Sequence, residues 1–202
     1  MLWPDTYLVR RTLGGDGGAF GKLHERHLGR VFNLLRRLTD NDDAAADLAQ
    51  ETFLAAFRSL SAWRREGAFS TWLCGIAFRL YRSRRRSDAR SATEPLDEAD
   101  CLPAPASDPL AHCEQREALR RIEAAVADLP DVCREAFVLV RVEGLSYAEA
   151  ARWIDVPVGT VHSRLARATS LLRLLLAEVA VLDGEAVSSI SAARSKETTD
   201  AL

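Results

Sequence analysis

No stretch of this chain alternates apolar and polar residues over any length, so a β-sheet has nothing to build on. No run approaches the roughly 18 apolar residues that a membrane span requires. The N-terminal MLWPDTYLVRR lacks the basic-then-apolar order of a secretory leader. A cytoplasmic protein without membrane insertion is expected. Cys74, Cys101, Cys113 and Cys133 form no C-x-x-C pair, and His112-Cys113 has no second ligand pair at zinc spacing. Structural or free thiols are therefore expected, with no metal site and no cofactor. No His, Cys or carboxylate cluster has catalytic spacing and the four His are scattered, which argues against an enzyme. Glycine (11) and proline (7) are modest for 202 residues.

Charge of one sign is also missing in the sum: 27 Lys and Arg against 29 Asp and Glu give a net charge of −2. Taken alone that speaks against a nucleic-acid partner, but the distribution reverses the inference. Arg64 to Arg90 holds eight Arg against Glu66 and Asp88, and Ser91 to Glu114 holds six acids with no Lys or Arg. Val158 to Arg173 then holds three Arg and no acid. Two basic islands flank an acidic bridge. One such island alone is ordinarily a solvated helix face.

What is abundant is Ala, Leu and Arg, the composition of a helical protein. Phe20, Leu23, Leu28, Val31, Leu35 and Leu38 recur at helical spacing and predict one buried stripe over about 16–38. Asp40 to Asp43 break that stripe and supply a cap for a second helix, about Asp43 to Leu60, with Leu48, Ala49, Thr52, Phe53 and Ala56 inward. Asp47, Gln50, Glu51 and Leu54 lie round the other side. Ser70 is placed to cap a third helix, which ends in Arg82, Arg84, Arg85 and Arg86. Phe69 and Trp72 read as core, and Trp63 is left open between core and a base-stacking role.

Periodicity disappears between Ser87 and Ala111, where four of the seven prolines fall. The expected architecture is all-α: two small helical domains, 14–87 and 113–182, joined by an acidic Pro-containing linker, 88–112. A mobile polar tail is expected over 183–202. In the second domain a helix from Cys113 to Asp128 and one from Asp131 to about Val142 precede Ser146-Tyr147-Ala148-Glu149, which has the form of a capping box. A short helix, a turn at Val156-Pro157 and a longer helix with Val158, Val161, Leu165, Ala168, Leu172 and Leu175 inward follow. Those are the dimensions of a helix-turn-helix, whose second helix enters the major groove. Its outward face presents Gly159, Thr160, Ser163 and Arg167, flanked by His162 and Arg164. An ordinary helical hairpin with a solvated face has the same geometry.

The run D-L-A-Q-E-T-F (Asp47–Phe53), then F-S-T-W-L (Phe69–Leu73) and Ile76-Ala77, resembles the second conserved region of bacterial sigma factors. Leu129-Pro130, E-G-L-S-Y-A-E-A-A (Glu143–Ala151) and V-P-V-G-T-V-H-S-R-L-A-R-A (Val156–Ala168) resemble their fourth region. Order and spacing match the small extracytoplasmic-function type, over about residues 14–180. The resemblance implies a promoter-specific initiation factor, not an enzyme. It implies docking on core RNA polymerase through Asp47, Gln50, Glu51 and Leu54. It implies that Trp63, Arg64, Arg65, Arg79, Arg82 and Arg85 hold the melted −10 strand, and that Thr160, His162, Ser163, Arg164 and Arg167 hold the −35 duplex. It also implies a linker in the RNA path of the polymerase and an anti-sigma partner. Phe78-Arg79 and Ser83 stand where the family usually has Arg-Asn and Asp, positions that help melt and read the −10 region. A free-standing helix-turn-helix regulator is the alternative, and it has no reason to carry the Asp47–Phe53 helix.

Overall fold

The computed structural model describes residues 3–64, 67–91 and 120–197, and among them every regular element is helical. Arg65 and the linker residues 92–112 lie outside the described residues.

The first bundle comprises α1 (Asp5–Leu13), α2 (Gly17–Thr39), α3 (Asp42–Arg58), a 3-10 turn (Leu60–Ala62) and α4 (Phe69–Ser91). Asp16 starts α2 by accepting hydrogen bonds from the amides of Gly18 and Ala19. Leu23, Val31, Leu34, Leu35 and Leu38 are almost fully buried, each such side chain contributing about 1.5–3 kcal/mol of transfer free energy. Leu28 is not part of that stripe and is 39% exposed. The helical turn gives the inward position to His27, whose Nε2 lies 2.9 Å from Asp5 Oδ2 and ties α1 to α2. Helix α1 was not anticipated from the sequence; it seats Leu8 and Val9 in the core.

Within the expected cap segment 40–43, Asn41 starts α3, its Oδ1 accepting from Ala44 N at 2.8 Å; the next expected cap differs. Ser70 lies inside α4, where the carbonyl of Ala68 accepts the first amides, and its hydroxyl instead accepts from Arg30 Nη1 at 3.2 Å.

The second bundle comprises a helix over 120–127 (α5), α6 (Asp131–Phe137), a π turn (Val138–Val142), α7 (Tyr147–Ile154) and α8 (Val158–Glu197). Gly144 takes φ +74°, a left-handed conformation that lets the chain reverse between the π turn and α7. Val161, Leu165, Ala168 and Leu172 of α8 are buried as the periodicity requires, whereas Val158, the first residue of the helix, is 43% exposed. The backbone is helical through 183–197, within the stretch expected to be a polar, mobile tail. After Pro157 that stretch meets no proline, and extending an existing helix is far easier than nucleating one. The bundles touch: α4 packs on α7, and α2 on α6 and the π turn.

Candidate polymerase and nucleic-acid interface

Helix α3 divides cleanly. Leu48, Ala49, Thr52 and Phe53 are buried, while Asp47, Gln50, Glu51 and Leu54 are all exposed. Leu54 is 58% exposed and Phe57, one turn further on, 52% exposed. Phe57 was not singled out from the sequence, because an aromatic at helical spacing reads as core; its ring meets Phe20 edge-on at 5.0 Å. An apolar pair bordered by two carboxylates and an amide is the pattern of a docking face rather than of a solvated helix.

The five described residues of the six expected to hold a single strand do not form one set. Trp63 is 9% exposed and packs edge-on against Phe69 at 5.3 Å, so most of its ring is core. Together with exposed Arg64 and Arg79, and with Trp72 and Trp153, it lines a cavity of about 500 Å³ at the junction of the bundles. Arg82 and Arg85 are engaged elsewhere. Arg82 donates to the carbonyls of Trp153 and Ile154 at the end of α7. Arg85 donates to Glu135 at 2.8 Å and to the Tyr81 hydroxyl at 3.1 Å, and pairs with Asp131 at 2.9 Å.

Glu135 is 5% exposed, and burial pushes its carboxyl above the ordinary range against the pull of Arg85, Arg82 and Arg164. A second acid crosses the junction: Glu143, its side chain 6% exposed, accepts two hydrogen bonds from Arg30 at 3.1 and 2.9 Å. The Cys74 thiol donates to the same Oε2 at 3.8 Å. Burial, then the charge of Glu143, push that thiol up to about 12. None of Arg30, Gly75, Glu135 and Trp153 carried a sequence signal, and Glu143 appeared only as the first letter of the E-G-L-S-Y run.

In the helix-turn-helix, Ser146 Oγ accepts from Glu149 N at 3.2 Å and Glu149 Oε2 accepts from Ser146 N at 2.9 Å, completing the capping box. Asp155, at φ +61°, ends α7 in a left-handed step, and Pro157 O accepts the first amides of α8. Of the expected duplex contacts, His162, Ser163 and Arg167 are exposed, and Thr160 and Arg164 are half-buried. The His162 ring stacks on Tyr147 at 3.9 Å with only 7° between planes, which fixes its orientation. Arg164 borders a cavity of about 250 Å³ that also holds Arg82, Arg85 and Glu135, on the flank of α8 facing the first bundle. Among the described residues no group of His, Cys, Asp and Glu gathers to hold a metal ion, and no helix is long and apolar enough to cross a membrane.

Residues 23–91 match the family model Sigma-70 region 2, and residues 119–172 match Sigma-70, region 4. A 180-residue stretch is 33% identical to an ECF RNA polymerase sigma-E factor of Haemophilus influenzae, covering 83% of this chain and 93% of the relative. The RNA polymerase sigma-H factor of Pseudomonas aeruginosa is 33% identical over 172 residues, covering 81% and 89%. Among solved structures, the sigma factor RpoE in complex with the anti-sigma factor NepR, from Bartonella quintana, superposes with a TM-score of 0.60. It is 25% identical, over 78% of this chain and 96% of that one. The two matched regions define a two-domain sigma-70 protein. The chain belongs to the sigma-70 family of RNA polymerase sigma factors, in its extracytoplasmic-function branch.

Proposed function

We propose that this protein binds core RNA polymerase and directs promoter-specific initiation, reading a −35 element as duplex and a −10 element as melted strand. Both sigma regions occur in one chain in the required order, and that observation carries the proposal. The first domain, 14–87, docks on the polymerase through Asp47, Gln50, Glu51 and Leu54, supported by their shared exposed face with Phe57. Arg64 and Arg79, with Trp63 at the cavity edge, and Arg82 and Arg85 on α4 serve the melted strand. Aromatic rims stack bases while guanidiniums follow phosphates. The second domain, 113–182, sets the start of α8 into the major groove through Thr160, His162, Ser163, Arg164 and Arg167.

The protein works by binding and catalyses nothing, in the cytoplasm where its polymerase is. An anti-sigma protein is its restraint, a reading supported by the Bartonella structure, which is a complex with an anti-sigma factor. Run-off transcription with purified core polymerase on a promoter library tests the function. Transcripts starting at a shared two-element motif, absent with core alone, are expected; core stimulated equally on every template would overturn it.

A further inference from the structure

Several of the contacts that cross between the two bundles lie along one face of α4. Trp153 of α7 lies against Phe78 with ring centroids 5.9 Å apart. It comes so close to Gly75 that a Cβ there would stand 3.3 Å from its Cζ2, so the glycine is what admits the indole. One turn further along α4, Arg82 donates to the carbonyls that end α7, the negative end of that helix. Next comes Arg85, on Glu135 and Asp131. A carboxylate as buried as Glu135 needs a cation beside it, and its hydrogen-bonded one, Arg85, comes from the other bundle. At the far side the Arg30–Glu143 pair closes the same junction. In contrast, the outer face of α3 and His162, Ser163 and Arg167 of α8 stay exposed.

We infer that the second domain is a built-in competitor for the strand-binding arginines of the first. The carbonyl end of α7 and the carboxylates of Glu135 and Asp131 occupy the guanidinium donors that strand phosphates would use. The closed protein thus leaves His162, Ser163 and Arg167 open to duplex DNA and the outer face of α3 open to polymerase, while Arg82 and Arg85 are masked against single-stranded DNA. Opening the junction unmasks it. This deepens the proposed strand role of Arg82 and Arg85 and rests on it.

Gly75→Leu tests the inference. Its backbone has an ordinary helical conformation, so leucine improves the local propensity of α4 while its side chain collides with Trp153. Trp153→Ala is the second variant, removing the wedge from the other side. The full chain of each is measured by small-angle scattering and by titration with a labelled random single strand of about 12 nucleotides and a random duplex. Both variants are expected to have a larger radius of gyration than the parent. If the parent is open about a tenth of the time, single-strand affinity rises up to ~10-fold and duplex affinity changes by less than about twofold. Unchanged scattering, or a larger particle with unchanged single-strand affinity, overturns the inference. Adding Arg82→Ala and Arg85→Ala to Gly75→Leu should abolish the gain. A gain that persists without those arginines shows that the strand assignment was wrong, a result scattering does not touch.

Discussion

Arg167 stands on the exposed face of α8, one turn beyond Ser163. Arg167→Ala should weaken binding of the holoenzyme to −35 duplex. If the contact is to a phosphate, the slope of log affinity against log salt falls by about one unit. If it is bidentate to guanine, the loss is ~1–3 kcal/mol and confined to sites with that base. No change on either measure would mean α8 enters the groove on another face. Cys74 carries a second prediction at this scale. With its thiol pushed up to about 12 and only 1% exposed, it stays protonated at pH 8 and should alkylate orders of magnitude more slowly than an ordinary cysteine. Fast labelling of Cys74, mapped by mass spectrometry in the native full chain, would contradict that environment.

At the level of elements, the capping box of α7 was legible letter by letter, because S-x-x-E satisfies two orphan amides whatever surrounds it. Ser146→Ala should cost about 1 kcal/mol of stability in denaturant unfolding. The hydrogen bond from the Ser146 hydroxyl, then that from its backbone amide, hold the Glu149 carboxyl below its ordinary 4.5. A lowered carboxylate value contributes stability above the ordinary range, and that contribution is lost as pH falls through the lowered value. An NMR titration should place the Glu149 midpoint below 4.5, and Ser146→Ala should move it back up. Helix α3 was legible for a related reason: its two faces differ in polarity, and the exposed Asp47, Gln50, Glu51 and Leu54 follow from period alone. Phe57 did not follow, since nothing local tells an outward phenylalanine from an inward one. Leu28 and His27 exchanged roles because an acid on α1, far along the chain, rewards a histidine on the inner face. The cap of α3 fell at Asn41, inside the run of adjacent capping residues, 40–43, that the sequence offered for it.

For the molecule as a whole, the sequence separates two domains but cannot show how they meet, because each junction contact pairs residues remote in the chain, such as Arg30 with Glu143 and Arg85 with Glu135. The junction bears on restraint. Closure engages Arg82 and Arg85 yet leaves Asp47, Gln50, Glu51, Leu54 and Phe57 exposed, so a closed molecule still presents the face proposed to dock on polymerase. On that assignment, a second protein laid over α3 is the restraint on polymerase binding that we propose. Such a partner and core polymerase should be mutually exclusive on this chain, and both should rely on the same apolar pair. Leu54→Ala with Phe57→Ala removes side chains more than half exposed, so thermal melting should stay close to the parent. The loss of two apolar anchors should weaken core association by ~2 kcal/mol or more. Protein purified from its native host before any inducing stimulus should emerge bound to the restraining partner, and added core polymerase should displace that partner rather than join it. A ternary complex of all three would place the restraint on another face. Protein recovered with polymerase alone, and fully active on overproduction without a stimulus, would leave synthesis as the only control.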